Sequence, residues 1–136
     1  MNNINYVLSY INPDTDGIAC SIAMANLLSL KGEKWIPGAF GAIGEETLFV
    51  LKNLGISIPE VKINLKKAIK IVLVDTHHKA QLPNDFPYDK VVAIFDHHPN
   101  GNDDLFPSAD ITNRKIGAAA SIVAELYFKR DIIDVT

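Results

Sequence analysis

Three short segments rich in aspartate and histidine follow apolar runs in this chain, and their side chains are of the types that bind metal ions. The segments are Asn12-Pro13-Asp14-Thr15-Asp16, Asp75-Thr76-His77-His78 and Asp96-His97-His98. Each follows a run typical of a buried strand, at 6–8, 69–74 and 91–95. In an open parallel sheet the carboxyl ends of neighbouring strands lie side by side. Carboxylates gathered there repel one another unless cations lie between them, so the pattern predicts a metal site.

The elements that must position these side chains alternate between strand and helix. Apolar content and periodicity predict strands at 5–10, 34–40, 70–74 and 90–95, and helices at 17–30, 45–53 and 117–129. Pro37 places the second strand at a sheet edge, because proline cannot donate to the ladder. The alternation predicts an α/β fold with a mostly parallel sheet and helices on both faces. The apolar stretch that begins at Asp131 is interpreted as the start of a further strand or as a short terminal segment.

Length and composition favour one globular domain that binds no long nucleic acid. The chain has 136 residues, 48% of them hydrophobic, and a net charge of −3. That charge is too mild to imply a nucleic-acid groove, although it leaves a local basic patch open. No apolar run approaches the roughly 18 residues of a membrane span. The single cysteine, Cys20, excludes a disulfide framework, favours a cytoplasmic location and is interpreted as a buried core residue.

For each segment the residues alone leave a structural alternative open. Asp14 or Asp16 could cap a helix, and Asp75 could cap a turn. His77 and His78 could be exposed loop residues. Asp96 could ligate a metal directly or orient a ligating histidine. Taken together, oxygen and nitrogen donors without a nearby thiol favour Mn²⁺, Mg²⁺, Co²⁺ or Zn²⁺. Several carboxylates able to bridge suggest two ions about 3.5–4 Å apart.

A second candidate site lies at the start of the last predicted helix. Arg114 and Lys115 stand before Gly117 and a run of small residues that ends at Ser121. A helix start beside two cations could receive a phosphate oxygen. The alternative is an ordinary alanine-rich helix packed closely on the sheet.

These motifs resemble those of the DHH phosphoesterase superfamily, whose name corresponds here to Asp96-His97-His98. The Asn12-Pro13-Asp14-Thr15-Asp16 segment, followed by an alanine-rich helix, is most similar to the N-terminal domain of manganese-dependent (family II) inorganic pyrophosphatases. The Leu73-Val74-Asp75 stretch lies between the two motifs in the expected order. The resemblance extends from Tyr6 to about Phe128 and implies a DHH-type α/β domain.

The resemblance also implies a role for each matching residue. Asp14 and Asp75 would hold one ion, while Asp16, Asp75 and His97 would hold the second, with Asp75 as the bridge. His98 would contact the phosphate or assist the leaving group. Two Mn²⁺ ions, or Mg²⁺ or Co²⁺, would activate a shared hydroxide that attacks phosphorus. The catalytic residues would then be Asp75 and His98.

Two departures from the family pattern bear on activity. Tyr10 stands where the family usually has a histidine ligand of the first ion, and His77 or His78 could substitute for it. The fourth family motif and the smaller second domain, which grips the substrate, are absent from the 136 residues. We therefore expect a single DHH-type domain, incomplete at its C-terminus, that acts with a second chain or a missing domain. Efficient turnover by this chain alone is not expected.

Three functions remain as hypotheses. The first is a metal-dependent phosphohydrolase most like an inorganic pyrophosphatase, acting on a small phosphate-containing molecule. The second is a phosphodiesterase that cleaves short oligonucleotides or cyclic dinucleotides. The third is a degenerate relative that binds a metal, a phosphate compound or a protein partner without catalysis. None of the three involves a membrane.

Overall fold

The computed structural model describes residues 3–115 and 117–129 as one parallel sheet with helices packed against it. The strands are β1 (Ile4–Leu8), β2 (Trp35–Pro37), β3 (Ala68–Val74), β4 (Val91–Asp96) and β5 (Asp110–Asn113). The helices are α1 (Thr15–Ser29), α2 (Glu45–Asn53) and α3 (Ala119–Lys129). The predicted α/β fold is confirmed. The predicted continuation at 131–136 lies outside the described residues.

The sheet has the order β2-β1-β3-β4-β5, and every pairing is parallel. Strand β2 is an edge strand, as Pro37 predicts. The order reverses between β1 and β3, because the chain first builds β2 on one side of β1 and then crosses to the other. Ligand crevices in open α/β sheets form at such a reversal, outside the carboxyl ends of the strands. The register aligns Leu8 with Leu73 and Val74 with Phe95, so the ends of three strands are adjacent.

Alternation along the strands divides the core between two faces. Val7, Val72, Val74 and Phe95 pack with α1 and α3 on one face. The other face carries Leu8 and its neighbours from β3 and β4, and it packs against loops and short 3₁₀ turns. The continuous apolar runs of β3 and β4 are therefore buried on both sides, as expected for central parallel strands. Loops and 3₁₀ turns, rather than the α-helices expected from the sequence, cover this second face of the sheet.

One strand was not predicted. Asp110-Ile111-Thr112-Asn113 is short and mostly polar, yet it pairs with β4 from Ala93 to Asp96 as the second edge. The prediction for α2 matches its observed bounds, while the other strands and helices differ from their predicted bounds by a few residues. Within the described ranges, no helix has the length and apolarity needed to cross a membrane.

Candidate metal centre

The rim formed by the ends of β1, β3 and β4 gathers carboxylates and imidazoles from distant parts of the chain. Asp75 follows β3, Asp96 ends β4 and Asp16 lies in the first turn of α1. His97 Nε2 is 2.9 Å from Asp75 Oδ1 and 3.8 Å from Asp16 Oδ2. Asp75, Asp96, His97 and His98 each offer one ligand atom, and these atoms lie within 4.8 Å of one another. A group of this kind could hold a divalent ion.

Asp75 is held in an unfavourable environment. Its side chain is 2% exposed, and its backbone is left-handed with φ 64°. A non-glycine residue in that region costs about 1–3 kcal/mol and persists only where its surroundings fix it. Here the amide N–H of Asp75 donates to the carbonyl of Phe95 at 2.8 Å. Burial, followed by the charges of Asp16 and Asp14, raises the pKa of Asp75 from 3.8 to about 8.

Asp96 is fully buried but has the opposite electrostatic character. Its Oδ1 accepts the backbone N–H of His97 at 2.8 Å and of His98 at 3.2 Å, and it lies 2.7 Å from His98 Nδ1. Its Oδ2 contacts His77 Nδ1. Burial favours the neutral acid, but the hydrogen bonds from His77 and from these N–H groups hold the pKa of Asp96 below its ordinary value. Both oxygens are therefore occupied in orienting histidines.

The two aspartates after β1 have different partners. Asp14 is the N-cap of α1, and its Oδ1 accepts the N–H of Gly17 at 2.9 Å. Asp16 instead reaches the start of α3, where its two oxygens accept the N–H groups of Ala119 and Ala120 at 3.0 Å each. Capping is thus observed for both side chains. Both also lie close enough to Asp75 to raise its pKa.

Tyr10 is poorly suited to metal ligation. Its hydroxyl accepts the backbone N–H of Asp14 at 3.1 Å. Burial, which outweighs that hydrogen bond, raises the pKa of Tyr10 to about 12, with the negative charges of Asp14 and Asp75 adding to the rise. Ionising the phenol near neutral pH is therefore strongly unfavourable.

The two histidines considered as substitutes for a Tyr10 ligand group with Asp96 instead, and the three residues offer ligand atoms within 4.8 Å of one another. His77 is fully buried against Asp96. His78 Nε2 lies 3.1 Å from the carbonyl oxygen of Pro99. The ring centre of His78 is 6.3 Å from that of His98.

The predicted phosphate contacts before α3 are also engaged or exposed. The Arg114 guanidinium donates to Glu125 of α3, and Lys115 and Gly117 are exposed. The first N–H groups of α3 do receive an anion, as expected for a helix start. That anion is the Asp16 carboxylate of the chain itself.

Sequence reasoning missed two residues beside the cluster. Asp103 Oδ1 lies 3.0 Å from His77 Nε2, and the backbone of Gly101 packs directly on the same imidazole. No sequence signal linked the loop after β4 to His77. Cavity size is not a guide to this site either. A groove of about 580 Å³ lies instead between Ile22, Pro37 and Ile58, and Glu60 is the one titratable residue that lines it.

Comparison with known proteins identifies relatives of this arrangement. Residues 5–135 match the model of the DHH family, N-terminal domain. The manganese-dependent inorganic pyrophosphatase of Methanocaldococcus jannaschii is 39% identical over 131 residues, which are 96% of this chain and 40% of that protein. A probable manganese-dependent inorganic pyrophosphatase of Clostridium acetobutylicum is 30% identical over 97% of this chain and 43% of its own length. The chain thus spans less than half the length of these relatives.

Solved structures agree with the sequence matches. The crystal structure of a putative family II inorganic pyrophosphatase from Methanococcus jannaschii superposes with a TM-score of 0.82 at 38% identity, over 97% of this chain and 40% of that one. An exopolyphosphatase-related protein from Bacteroides fragilis shares the fold, with a TM-score of 0.73 at 14% identity over 95% of this chain and 40% of that one. The family model, the sequence relatives and the shared fold together show that this chain belongs to the DHH family.

Proposed function

We propose that this chain carries the metal centre of a phosphohydrolase most like an inorganic pyrophosphatase. One observation carries the proposal: the buried Asp75 carboxylate, whose pKa is raised to about 8, lies 2.9 Å from an imidazole nitrogen of His97. Like charges that share a buried rim are unfavourable without a cation. The relatives named as manganese-dependent pyrophosphatases support the same assignment.

The donor set fits a hard or borderline divalent ion. Asp16, Asp75 and His97 would hold one ion through carboxylate oxygen and imidazole nitrogen, the ligands that suit Mn²⁺. Asp14 and Asp75 would hold a second, more weakly, because Tyr10 adds no charged ligand. Mn²⁺ is the proposed ion, with Mg²⁺ or Co²⁺ as substitutes. Bound ions would lower the pKa of a water molecule and offset charge on the phosphate oxygens.

The side chains of the rim would then have separate roles in metal and phosphate binding. Asp75 would bring its charge to both ions, and it is the residue whose proton must leave before they bind. Asp96 would keep His98 oriented, since its Oδ1 lies 2.7 Å from His98 Nδ1. With Nδ1–H donated to Asp96, the ring would need a second proton, on Nε2, to donate to a phosphate oxygen or a leaving group. Lys115 and Gly117, which are exposed, would contribute to phosphate binding, and Arg114 would do so only after it releases Glu125.

A second candidate is metal or phosphate binding without turnover. The neutral Tyr10 favours it, because one of the two ions loses a ligand. The relatives also extend beyond the part that this chain matches, which is 40% and 43% of their length. In that case a second chain or further domain would supply what catalysis needs.

The test combines Mn²⁺ binding with hydrolysis by the 136-residue chain. Calorimetry would measure the affinity for Mn²⁺. Release of inorganic phosphate would report hydrolysis of pyrophosphate, and separation of the nucleotide products would report cleavage of a short oligonucleotide or a cyclic dinucleotide. The comparison is between Asp75→Asn and the same change at Asp110, an exposed residue of β5 with no role in the rim. We expect Mn²⁺ binding to be lost only in Asp75→Asn. Turnover of pyrophosphate supports the first function, and binding without turnover supports the second. Undiminished Mn²⁺ binding by Asp75→Asn would refute both.

A further inference from the structure

His77 is a buried imidazole between two carboxylates, and the metal centre does not account for it. Its side chain is 1% exposed. Its Nδ1 contacts Asp96 Oδ2. Its Nε2 lies 3.0 Å from Asp103 Oδ1, close enough for an ion pair but without the geometry of a hydrogen bond. A polar ring buried at this depth is retained at a cost unless its partners are fixed.

The loop after β4 fixes the ring in place. The Gly101 backbone approaches so closely that a Cβ atom there would lie 1.7 Å from His77 Nε2. The N–H of Asn102 donates to the carbonyl of His77 at 2.9 Å, and the Asn102 side chain accepts the N–H of Lys79 at 2.8 Å. These contacts hold the segment after β3 and the loop after β4 together on either side of the His77 ring.

Asp96 connects that imidazole to the rim. Its Oδ1 accepts the backbone N–H groups of His97 and His98 and contacts His98 Nδ1, while its Oδ2 contacts His77 Nδ1. The carboxylate also lies within 4.8 Å of the donor atoms of Asp75, His97 and His98. It is thus close enough to turn toward an ion. A contact that occupies Oδ2 keeps the carboxylate directed at His98.

We infer that His77 is a positioning residue that donates from Nδ1 to Asp96 and thereby holds the His98 ring. The part of this inference that concerns phosphate contact by His98 rests on the proposed function. The coupling from His77 through Asp96 to His98 does not, because it is a property of the metal-free chain. Replacing His77 by a residue without a donor leaves one oxygen of Asp96 unpaired, and the carboxylate then adopts orientations that no longer accept from His98.

The test uses imidazole nitrogen NMR on the metal-free 136-residue chain. In the wild type we expect His77 and His98 each to carry a proton on Nδ1, because each Nδ1 faces an oxygen of Asp96. Their ring protons should exchange slowly with water. A wild-type His77 with its proton on Nε2 and none on Nδ1 would overturn the inference without any substitution.

A matched pair of variants separates positioning from space filling. Asparagine and leucine have nearly the same shape, but only asparagine can donate from the place of Nδ1. We expect His77→Asn to preserve slow exchange of the His98 Nδ1 proton, and His77→Leu to accelerate it by about tenfold or more. Equal exchange rates in the two variants would refute the coupling.

A milder variant serves if His77→Leu fails to fold. The Asp103 side chain is 63% exposed, so Asp103→Asn removes the outer charge with little risk to folding. Because the Nδ1 donor remains, His98 exchange should stay within about twofold of the wild type. An acceleration of about tenfold would show that Asp103, rather than the His77 Nδ1–H, holds the ring. If these results hold while the wild type binds no Mn²⁺, the proposed function fails and the positioning role stands.

Discussion

Replacing Asp75 with asparagine should stabilise the metal-free protein while removing its proposed metal site. The carboxyl pKa is raised from 3.8 to about 8 by burial and by the charges of Asp16 and Asp14. Between those values the folded state retains a proton that the unfolded state has lost. The free energy of unfolding contributed by Asp75 is therefore full below about pH 4 and falls as pH rises toward 8.

The magnitude follows from the size of the shift. Each pKa unit corresponds to about 1.4 kcal/mol, so the wild type should lose about 4 kcal/mol between pH 5 and pH 8 through this group. Asparagine resembles the protonated acid. Its oxygen can accept from His97 Nε2, now 2.9 Å from Asp75 Oδ1, and its NH₂ can donate to Asp16. The variant should therefore lack this pH dependence.

Urea unfolding in the presence of a chelator, followed by circular dichroism at several pH values, measures the difference. Subtracting the curve of the variant from that of the wild type removes contributions from groups other than Asp75. The difference should slope by about 1.4 kcal/mol per pH unit from pH 5 to near pH 8 and then level off. Parallel curves for the two proteins would show that ionising Asp75 does not destabilise the folded state. The argument that this rim needs a cation would then fail.

Three further outcomes are expected. Because Mn²⁺ must displace the proton on Asp75, calorimetry should show an affinity that rises by about tenfold per pH unit from pH 5 to 8, and a flat profile would contradict this. Tyr10→His should strengthen Mn²⁺ binding by about tenfold or more, since a neutral imidazole replaces a phenol whose pKa is about 12, whereas Tyr10→Phe should change little. Gly101→Ala should lower the free energy of unfolding by about 1–3 kcal/mol, because its Cβ would overlap His77. Gly117→Ala, with open space around its Cβ, should stay within about 0.5 kcal/mol of the wild type in the same urea titration.

The fold was readable from the sequence where local signals agree with the final packing. The apolar runs of β3 and β4 are long and bounded by polar residues, so their type and position were recognised. Helix α2 has two glutamates at its start and a glycine after its end. Strand β5 carries no such signal, because its four residues are stabilised as a strand by pairing with β4 rather than by their own composition.

The candidate site was likewise predicted from the sequence only in part. That Asp16, Asp75 and His97 would lie together followed from the ends of parallel strands. Which oxygen bonds to which donor did not, because it depends on contacts across about a hundred residues, such as the one from Asp16 to Ala119. Asp96 was left open between ligand and orienting group, and its four partners in the structure favour the second role. Asp103 was missed because its approach to His77 depends on a loop whose path has no local signature.

The hydrogen bonds between Asp16 and the start of α3 have a consequence for metal binding. Helix α3 is 11 residues long, about 16 Å end to end, and its first two amides are bound by the same carboxylate proposed to grip a cation. When an ion draws on the oxygens of Asp16, the amides of Ala119 and Ala120 must share them or tilt away. The proposed ion and the start of α3 therefore compete for the same two oxygens.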